Sequence, residues 1–154
     1  MLTVDIASAP GAGAAPPAEE LRAWAEAAYA AAAEGAGAAS LALKIVDEAE
    51  SEALNRRYRG VGRPTNVLSF PGAAAVPAGE PRPLGDIAIC GPVVAREAAE
   101  QARPETAHWC HMVVHGTLHL LGYAHDTDTA AAAMETLETR LLADFGFRDP
   151  YCEG

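Results

Sequence analysis

The sequence predicts an α/β fold of the α+β sandwich kind: a four-stranded mixed sheet with helices packed on it and one buried central helix. Three observations predict it. Four short apolar runs, LTVDI, LALKIV, NVLSF and LGDIAIC, all come before residue 91 and read as strands. Three stretches of helical period follow, at 92–101, 105–121 and 128–145. The middle one is apolar nearly all round, the mark of a helix enclosed by the rest of the molecule. Strands mostly first and helices mostly last suit one sheet with helices on its face.

LTVDI (Leu2–Ile6) alternates as a strand does, and PGAGAAPP turns the chain. Pro16 and Pro17 then open a helix whose first turn holds Glu19 and Glu20, where negative charge is favoured. Leu21, Trp24 and Ala28 give it an apolar face, and Gly35 is the expected stop. LALKIV (Leu41–Val46) is the second strand. Asp47 and Glu50 have capping-box spacing for a short helix reaching Tyr58. Gly60, Gly62 and Pro64 break the chain. NVLSF and LGDIAIC are the third and fourth strands, separated by a loop from Pro71 to Pro83. Helices follow at Pro92–Gln101, Glu105–Leu121 and Asp128–Phe145. In the last, Met134, Leu137, Leu141 and Phe145 share one face, and Gly146 ends it.

A chain of 154 residues, half of them apolar, suits one domain, 1–154, with a real core. The net charge of −10 argues against a protein that coats nucleic acid non-specifically. The start lacks the pattern of a secretory signal, and no apolar run approaches a membrane span, so a soluble cytoplasmic protein with no membrane partner is expected. Cys90, Cys110 and Cys152 are odd in number and widely spaced, which suits free thiols in a reducing cytoplasm.

The stretch HGTLHLLGYAH, His115–His125, carries the chemistry. On a helical wheel His108, His111, His115 and His119 fall within about 80°. Apolar residues flank this stripe on both sides, so the histidines are expected to line an internal cleft. Residues four apart present two imidazoles to one point. Gly122 lets the chain turn back so that His125 supplies a third. Eight residues of straight helix rise about 12 Å, so His111, His115 and His119 cannot easily share one ion. His111 is then a neighbour of the site or faces substrate, and His108 is structural or exposed. Cys110 points away from the stripe. Three neutral imidazoles with an open fourth position suit catalytic Zn²⁺, one per chain, while nickel and copper accept the same donors. Zinc proteases of this spacing place a glutamate after the first histidine. Here Gly116 stands in its place.

Arginine is the second signal. Lys and Arg together number 11, and Arg56, Arg57, Arg59 and Arg63 all fall within RRYRGVGR. One reading is a solvated helix end, where arginine suits the dipole. The other is a phosphate clamp, because guanidinium presents a planar fork that matches phosphate oxygens. Phosphate beside zinc would dispense with the missing glutamate, since the ion supplies the Lewis acid and lowers the pKa of water to about 7.

YRGVGRPTNVLSFPG, LGDIAICGPVVAREA, HMVVHGTLHLLGYAHD, METLE and LLADFGFRDPY, running in this order from Leu54 onward, closely resemble the bacterial YbeY family. The resemblance implies a single-strand-specific, metal-dependent endoribonuclease. Its setting would be 16S rRNA 3′-end maturation and ribosome quality control. It implies zinc on His115, His119 and His125 and a functional arginine at Arg59, which singles that residue out from Arg56, Arg57 and Arg63. His111 and the four arginines are the candidate substrate contacts. It also implies a sheet with helices packed around a central metal-bearing helix. The partners it implies are single-stranded rRNA, the small ribosomal subunit with one of its proteins, and an Era-type GTPase. One departure is Ala124, where the family usually has aspartate. The role of that aspartate is either lost here or passes to a neighbour such as Asp126 or Asp86. Two other functions fit parts of the pattern: a zinc peptidase, by the histidine spacing alone, and a non-catalytic ribosome assembly factor whose metal is structural.

Overall fold

The computed structural model describes residues 1–33, 37–72, 76, 77 and 79–151. Nine elements follow in order: β1 (Leu2–Ser8), α1 (Ala18–Ala32), β2 (Ala39–Val46), α2 (Glu48–Arg59), β3 (Val67–Pro71), β4 (Arg82–Cys90), α3 (Gly91–Glu100), α4 (Glu105–Leu120) and α5 (Asp128–Asp144). The strands form one four-stranded sheet in the order β1-β2-β4-β3. β1 and β2 are parallel, as are β2 and β4, while β3 runs antiparallel to β4. The sheet is therefore mixed, and β3 is an edge. The expected elements are all present. Gly35, part of the loop between β3 and β4, and Cys152 lie outside the described residues.

The period-2 pattern explains the two faces of the sheet. Leu2, Val4, Leu41, Leu43, Ile45, Ile87 and Ile89 project into the main core, with Leu21, Trp24, Trp109, Leu118, Met134 and Leu142 of the helices. α4 runs through this core between α1, α3, α5 and the sheet. Its Trp109, Cys110, Val113, Val114 and Leu118 are at most 1% exposed, which explains the apolar character all round. Cutting Leu118 to Ala there would cost about 2–5 kcal/mol. The opposite face carries a smaller cluster of Val46, Ala88, Cys90 and Val93, against which Leu54 of α2 and Phe70 pack.

Local sequence sets the ends of the helices. The Asp47 carboxylate accepts from the Glu50 N–H at 2.8 Å, capping α2. The reciprocal half of the expected capping box is absent, because the Glu50 side chain pairs with Lys44 at 2.7 Å instead. α2 stops at Gly60 in the left-handed region, φ 70°. In α5 the buried face is Met134, Glu138, Leu141 and Leu142. The expected stripe of Met134, Leu137, Leu141 and Phe145 is thus rotated. Leu137 is half-buried and Phe145 exposed, and a carboxylate takes a core position. Among the described residues, no helix is long and apolar enough to cross a membrane.

Candidate metal centre and cleft

α4 ends in a turn that reverses the chain. The Gly122 N–H donates to the His119 carbonyl, and the Tyr123 N–H to the Leu118 carbonyl, both at 3.1 Å. This pairing closes a helix on a left-handed glycine, and Gly122 has φ 99°. The chain then doubles back and brings His125 beside α4. The rings of His115, His119 and His125 form a triangle: 6.4 Å between the centres of His115 and His119, 5.7 Å for His115 and His125, 6.0 Å for His119 and His125. An ion bonded to nitrogen at about 2.0–2.1 Å lies about 3 Å from each ring centre. Three rings around one ion would therefore stand roughly 5–6 Å apart; the two distances to His125 fall in that range, and His115 and His119 would draw slightly closer to share an ion.

The histidine stripe does not lie wholly inside the molecule, as its apolar surroundings suggested. His108 and His111 are buried, His115 is half-buried, and His119 and His125 are exposed. In the last turn of α4 Thr117, Leu118 and Leu120 stay buried, and His119 is the exposed residue, on the cleft beside the edge strand β3. His119 is shifted below the ordinary imidazole value, first by burial and then by His115 and His125 nearby. The neutral, metal-binding form is favoured.

Beneath His115 lies a network that reading the sequence missed. Glu138 is fully enclosed, 0% exposed. Its Oε2 lies 2.9 Å from His115 Nδ1 and 3.1 Å from His111 Nε2, and its Oε1 accepts from the Tyr151 hydroxyl at 2.6 Å. Burial alone would raise this carboxyl. The hydrogen bonds from His111, His115 and Tyr151 outweigh it and hold the group low, at about 2. Burial and the Glu138 charge push the Tyr151 phenol well above its usual value, so it stays a donor. An ionised carboxylate only accepts, so His115 carries its proton on Nδ1 and turns the Nε2 lone pair outward. The signal was present in the sequence: a glutamate one turn after Met134, on the apolar side of α5.

Two donor sets therefore meet at His115. His111, His115 and Glu138 place one ligand atom each within 4.8 Å of one another and could hold a metal. His115, His119 and His125 are the other set. In the first, the donors already satisfy each other and the site is closed. The second opens on a cleft.

That cleft has a volume of about 580 Å³ and is walled by His115, His119, His125, Tyr58, Arg59, residues 65 and 66, and β3. Arg59 alone of the four clustered arginines lines it. Arg56 is exposed and pairs with Glu52 at 2.8 Å. The Arg57 guanidinium sits over the Tyr58 ring, 5.5 Å from its centre. Arg63 is exposed, and its carbonyl accepts from Asn55 Nδ2 at 2.8 Å. That bond and the paired contacts of Ser51 with Thr65, both 2.9 Å, pin the loop after α2 against the helix. His111 lies below the cleft, against Glu138, and does not line it. His108 is structural. Its Nε2 lies 2.9 Å from Glu97 and its Nδ1 3.3 Å from Arg103. Cys110 is enclosed, its thiol pushed up to about 12 by burial. Asp86 does not line the cleft; it lines a neighbouring groove of about 450 Å³ that shares Tyr58 and Phe70 with it.

Gly116 explains why the protease glutamate is absent. A Cβ there would meet Ile87 Cγ2 at 3.0 Å and Ser69 Oγ at 3.3 Å. α4 lies so close on the sheet here that any side chain at this position would press on Ile87 and Ser69.

The sequence pattern of the Endoribonuclease YbeY family matches residues 14–146. The chain belongs to the YbeY family. It is 55% identical over 137 residues to Endoribonuclease YbeY of Alkalilimnicola ehrlichii, covering 88% of this chain and 82% of that one. Endoribonuclease YbeY of Halorhodospira halophila is 53% identical over 141 residues, 90% of each chain. The solution structure of TM1509 from Thermotoga maritima has the same fold, with TM-score 0.60 at 22% identity, over 97% of this chain and 99% of that one.

Proposed function

We propose that this chain is a metal-dependent endoribonuclease specific for single strands, acting in the cytoplasm on 16S rRNA 3′-end maturation and ribosome quality control. One zinc per chain is held by His115, His119 and His125. The observation that carries this reading is the meeting of Arg59 with those three histidines in one open cleft. Family membership supports the reaction class, since the relatives at 53–55% identity are named endoribonucleases.

The residues divide the work. Arg59 offers a planar fork to the phosphoryl oxygens and stabilises the charge that grows there. Tyr58 stands on the same wall, 57% exposed, with the Arg57 guanidinium over its ring and Phe70 tilted against it at 4.7 Å between centres. Glu138, through His115 Nδ1, fixes the tautomer and direction of one ligand ring, the part that carboxylates play beneath metal-binding histidines. Tyr151 and His111 hold Glu138. Zinc, when bound, would polarise a phosphoryl oxygen and lower the pKa of water to about 7.

The enclosed set of His111, His115 and Glu138 is read as support for the ligands, because filling it with an ion would break three hydrogen bonds within the core. The peptidase reading loses its main support at Gly116. The partners that go with the proposal are single-stranded rRNA, the small ribosomal subunit with one of its proteins, and an Era-type GTPase. The net charge of −10 suits docking on basic proteins. Incubating the protein with single-stranded RNA, duplex RNA and a peptide, with and without chelator, tests it. Cleavage of single-stranded RNA that the chelator stops is the expected result. Peptide cleavage, or RNA cleavage indifferent to the chelator, would refute it.

A further inference from the structure

The edge strand β3 forms a long wall of the cleft, and its backbone groups are unevenly available. The Cys90 N–H donates to the Asn66 carbonyl and the Gly72 N–H to the Leu84 carbonyl, both at 2.9 Å. In an antiparallel pair, residues alternate between those that exchange hydrogen bonds with the neighbour and those that turn away. With Leu68 opposite Ala88 and Phe70 opposite Asp86, the residues 66, 68, 70 and 72 face β4. Val67, Ser69 and Pro71 turn their backbone outward. An edge of this kind normally accepts an extended peptide, which would need outward donors in succession.

Here the succession is broken. The Val67 N–H donates to the Asn66 side-chain oxygen at 2.7 Å, and Asn66 Nδ2 is tied in turn to Glu97 at 3.0 Å. Pro71 has no N–H. Ser69 alone of the three keeps a donor beside its own acceptor. It is also the best fixed of them. Its hydroxyl donates to the Gly116 carbonyl at 3.2 Å, one residue from His115.

We propose that the outward N–H and C=O of Ser69 form a nucleobase subsite, which reads the exposed Watson–Crick edge of an unpaired base lying next to the phosphate clamped by Arg59. Every base presents a donor beside an acceptor on that edge, so the subsite tolerates any sequence. A duplex has used those groups already, so it rejects paired RNA. This gives single-strand preference a physical source in the strand itself. A peptide finds one donor where a ladder needs several. The inference rests on the proposed RNA cleavage in this cleft.

Two-dimensional amide NMR of the zinc-loaded protein tests it. The probes are a short single-stranded RNA with an uncleavable phosphonate linkage, the same RNA as a duplex, and an extended peptide. Single-stranded RNA is expected to shift the Ser69 amide downfield and slow its hydrogen exchange, while the duplex and the peptide leave it in place. Replacing the Leu68–Ser69 amide by an ester removes only that donor. It is expected to weaken RNA binding roughly two- to tenfold, the share of one neutral hydrogen bond, and Ser69→Ala, which keeps the amide, is expected to bind more tightly than the ester. If Arg59 and the histidines respond to single-stranded RNA while the Ser69 amide does not, the subsite is wrong and the proposed function stands. If no cleft residue responds to RNA, both fall. A Ser69 shift produced by the peptide instead would make the edge a peptide-docking site.

Discussion

The two ends of α4 carry the same side chain at similar spacing and put it to different use. At the covered end, His108 and His111 are buried, and each has a ring nitrogen within 3.1 Å of a carboxylate oxygen. On the cleft side near its C-terminus, His119 is exposed and stands 6.4 Å from His115 and 6.0 Å from His125 between ring centres. His115 belongs to both, with one nitrogen on Glu138 and the other free. Histidine does not specify its own role; the cover over the helix does. Where α1, α3 and α5 pack on it, an unpaired imidazole is costly, and His108 and His111 each have a carboxylate on one nitrogen, although His111 Nδ1 is left buried without a partner among the described residues. Where the side chains face the cleft, the lone pairs stay available.

The sharpest way to break that comparison is to exchange the ends. His119→Ala or His125→Ala is expected to empty the metal site while the fold melts near its metal-free temperature. His108→Ala is expected to retain zinc and lose stability, by about 1–3 kcal/mol for the buried partners it strands. Elemental analysis with melting curves checks both. Zinc retained without His125 would move the centre to the enclosed set.

His115 can be probed from below. Glu138→Gln keeps the shape but weakens the hold on Nδ1. It is expected to lower zinc affinity about 10–100-fold, measured by competition with a chelator. Tyr151→Phe removes one of the three donors to Glu138 and is expected to do the same to a smaller degree. If affinity is unchanged while both proteins are destabilised, the network is structural only.

The order of elements was legible because hydrophobic period and turn residues are local signals. The spacing pairs His115 with His119, and Gly122 marks the bend that returns His125. What stayed hidden depends on other elements. No local feature of Arg56, Arg57, Arg59 and Arg63 says which one faces the cleft, because that depends on where β3 and the histidines lie beside the end of α2. Glu138 sat in plain view on an apolar face, yet its partners are 23 to 27 positions earlier and 13 later in the chain. Exposure of His119 could not be read either, because its neighbours Leu118 and Leu120 are buried and the cleft beside β3 alone leaves that face open.

A smaller effect comes with pH and touches both ends alike. Burial lowers His108 against the pull of Glu97, and burial with the neighbouring imidazoles lowers His119. The unfolded chain therefore takes up more protons below about pH 6.5, and stability falls as pH drops through that value. Glu138 acts in a lower window. Its carboxyl is held below the ordinary 4.5, at about 2, so its contribution is full above 4.5 and is lost as pH falls towards 2. Zinc should add stability near neutrality and lose its effect in the first window, as the ligand imidazoles take up protons. Denaturation across pH, with and without zinc, is the measurement. A zinc-dependent stabilisation indifferent to pH would count against imidazole ligands.

The central claim is that Arg59 and the exposed histidines form one catalytic centre, and the direct test holds the metal constant. Single-turnover cleavage of a short single-stranded RNA is measured for wild type, Arg59→Glu, Arg59→Lys and Arg56→Glu at equal zinc content. Arg59→Glu is expected to melt normally, since surface changes stay within about 0.5 kcal/mol, and to cleave at least about a hundredfold more slowly. Arg59→Lys keeps the charge without the fork and should fall between. Arg56→Glu should act weakly, with an effect that fades as salt rises. Wild-type rates for Arg59→Glu would contradict the account and remove arginine from the chemistry of the cleft.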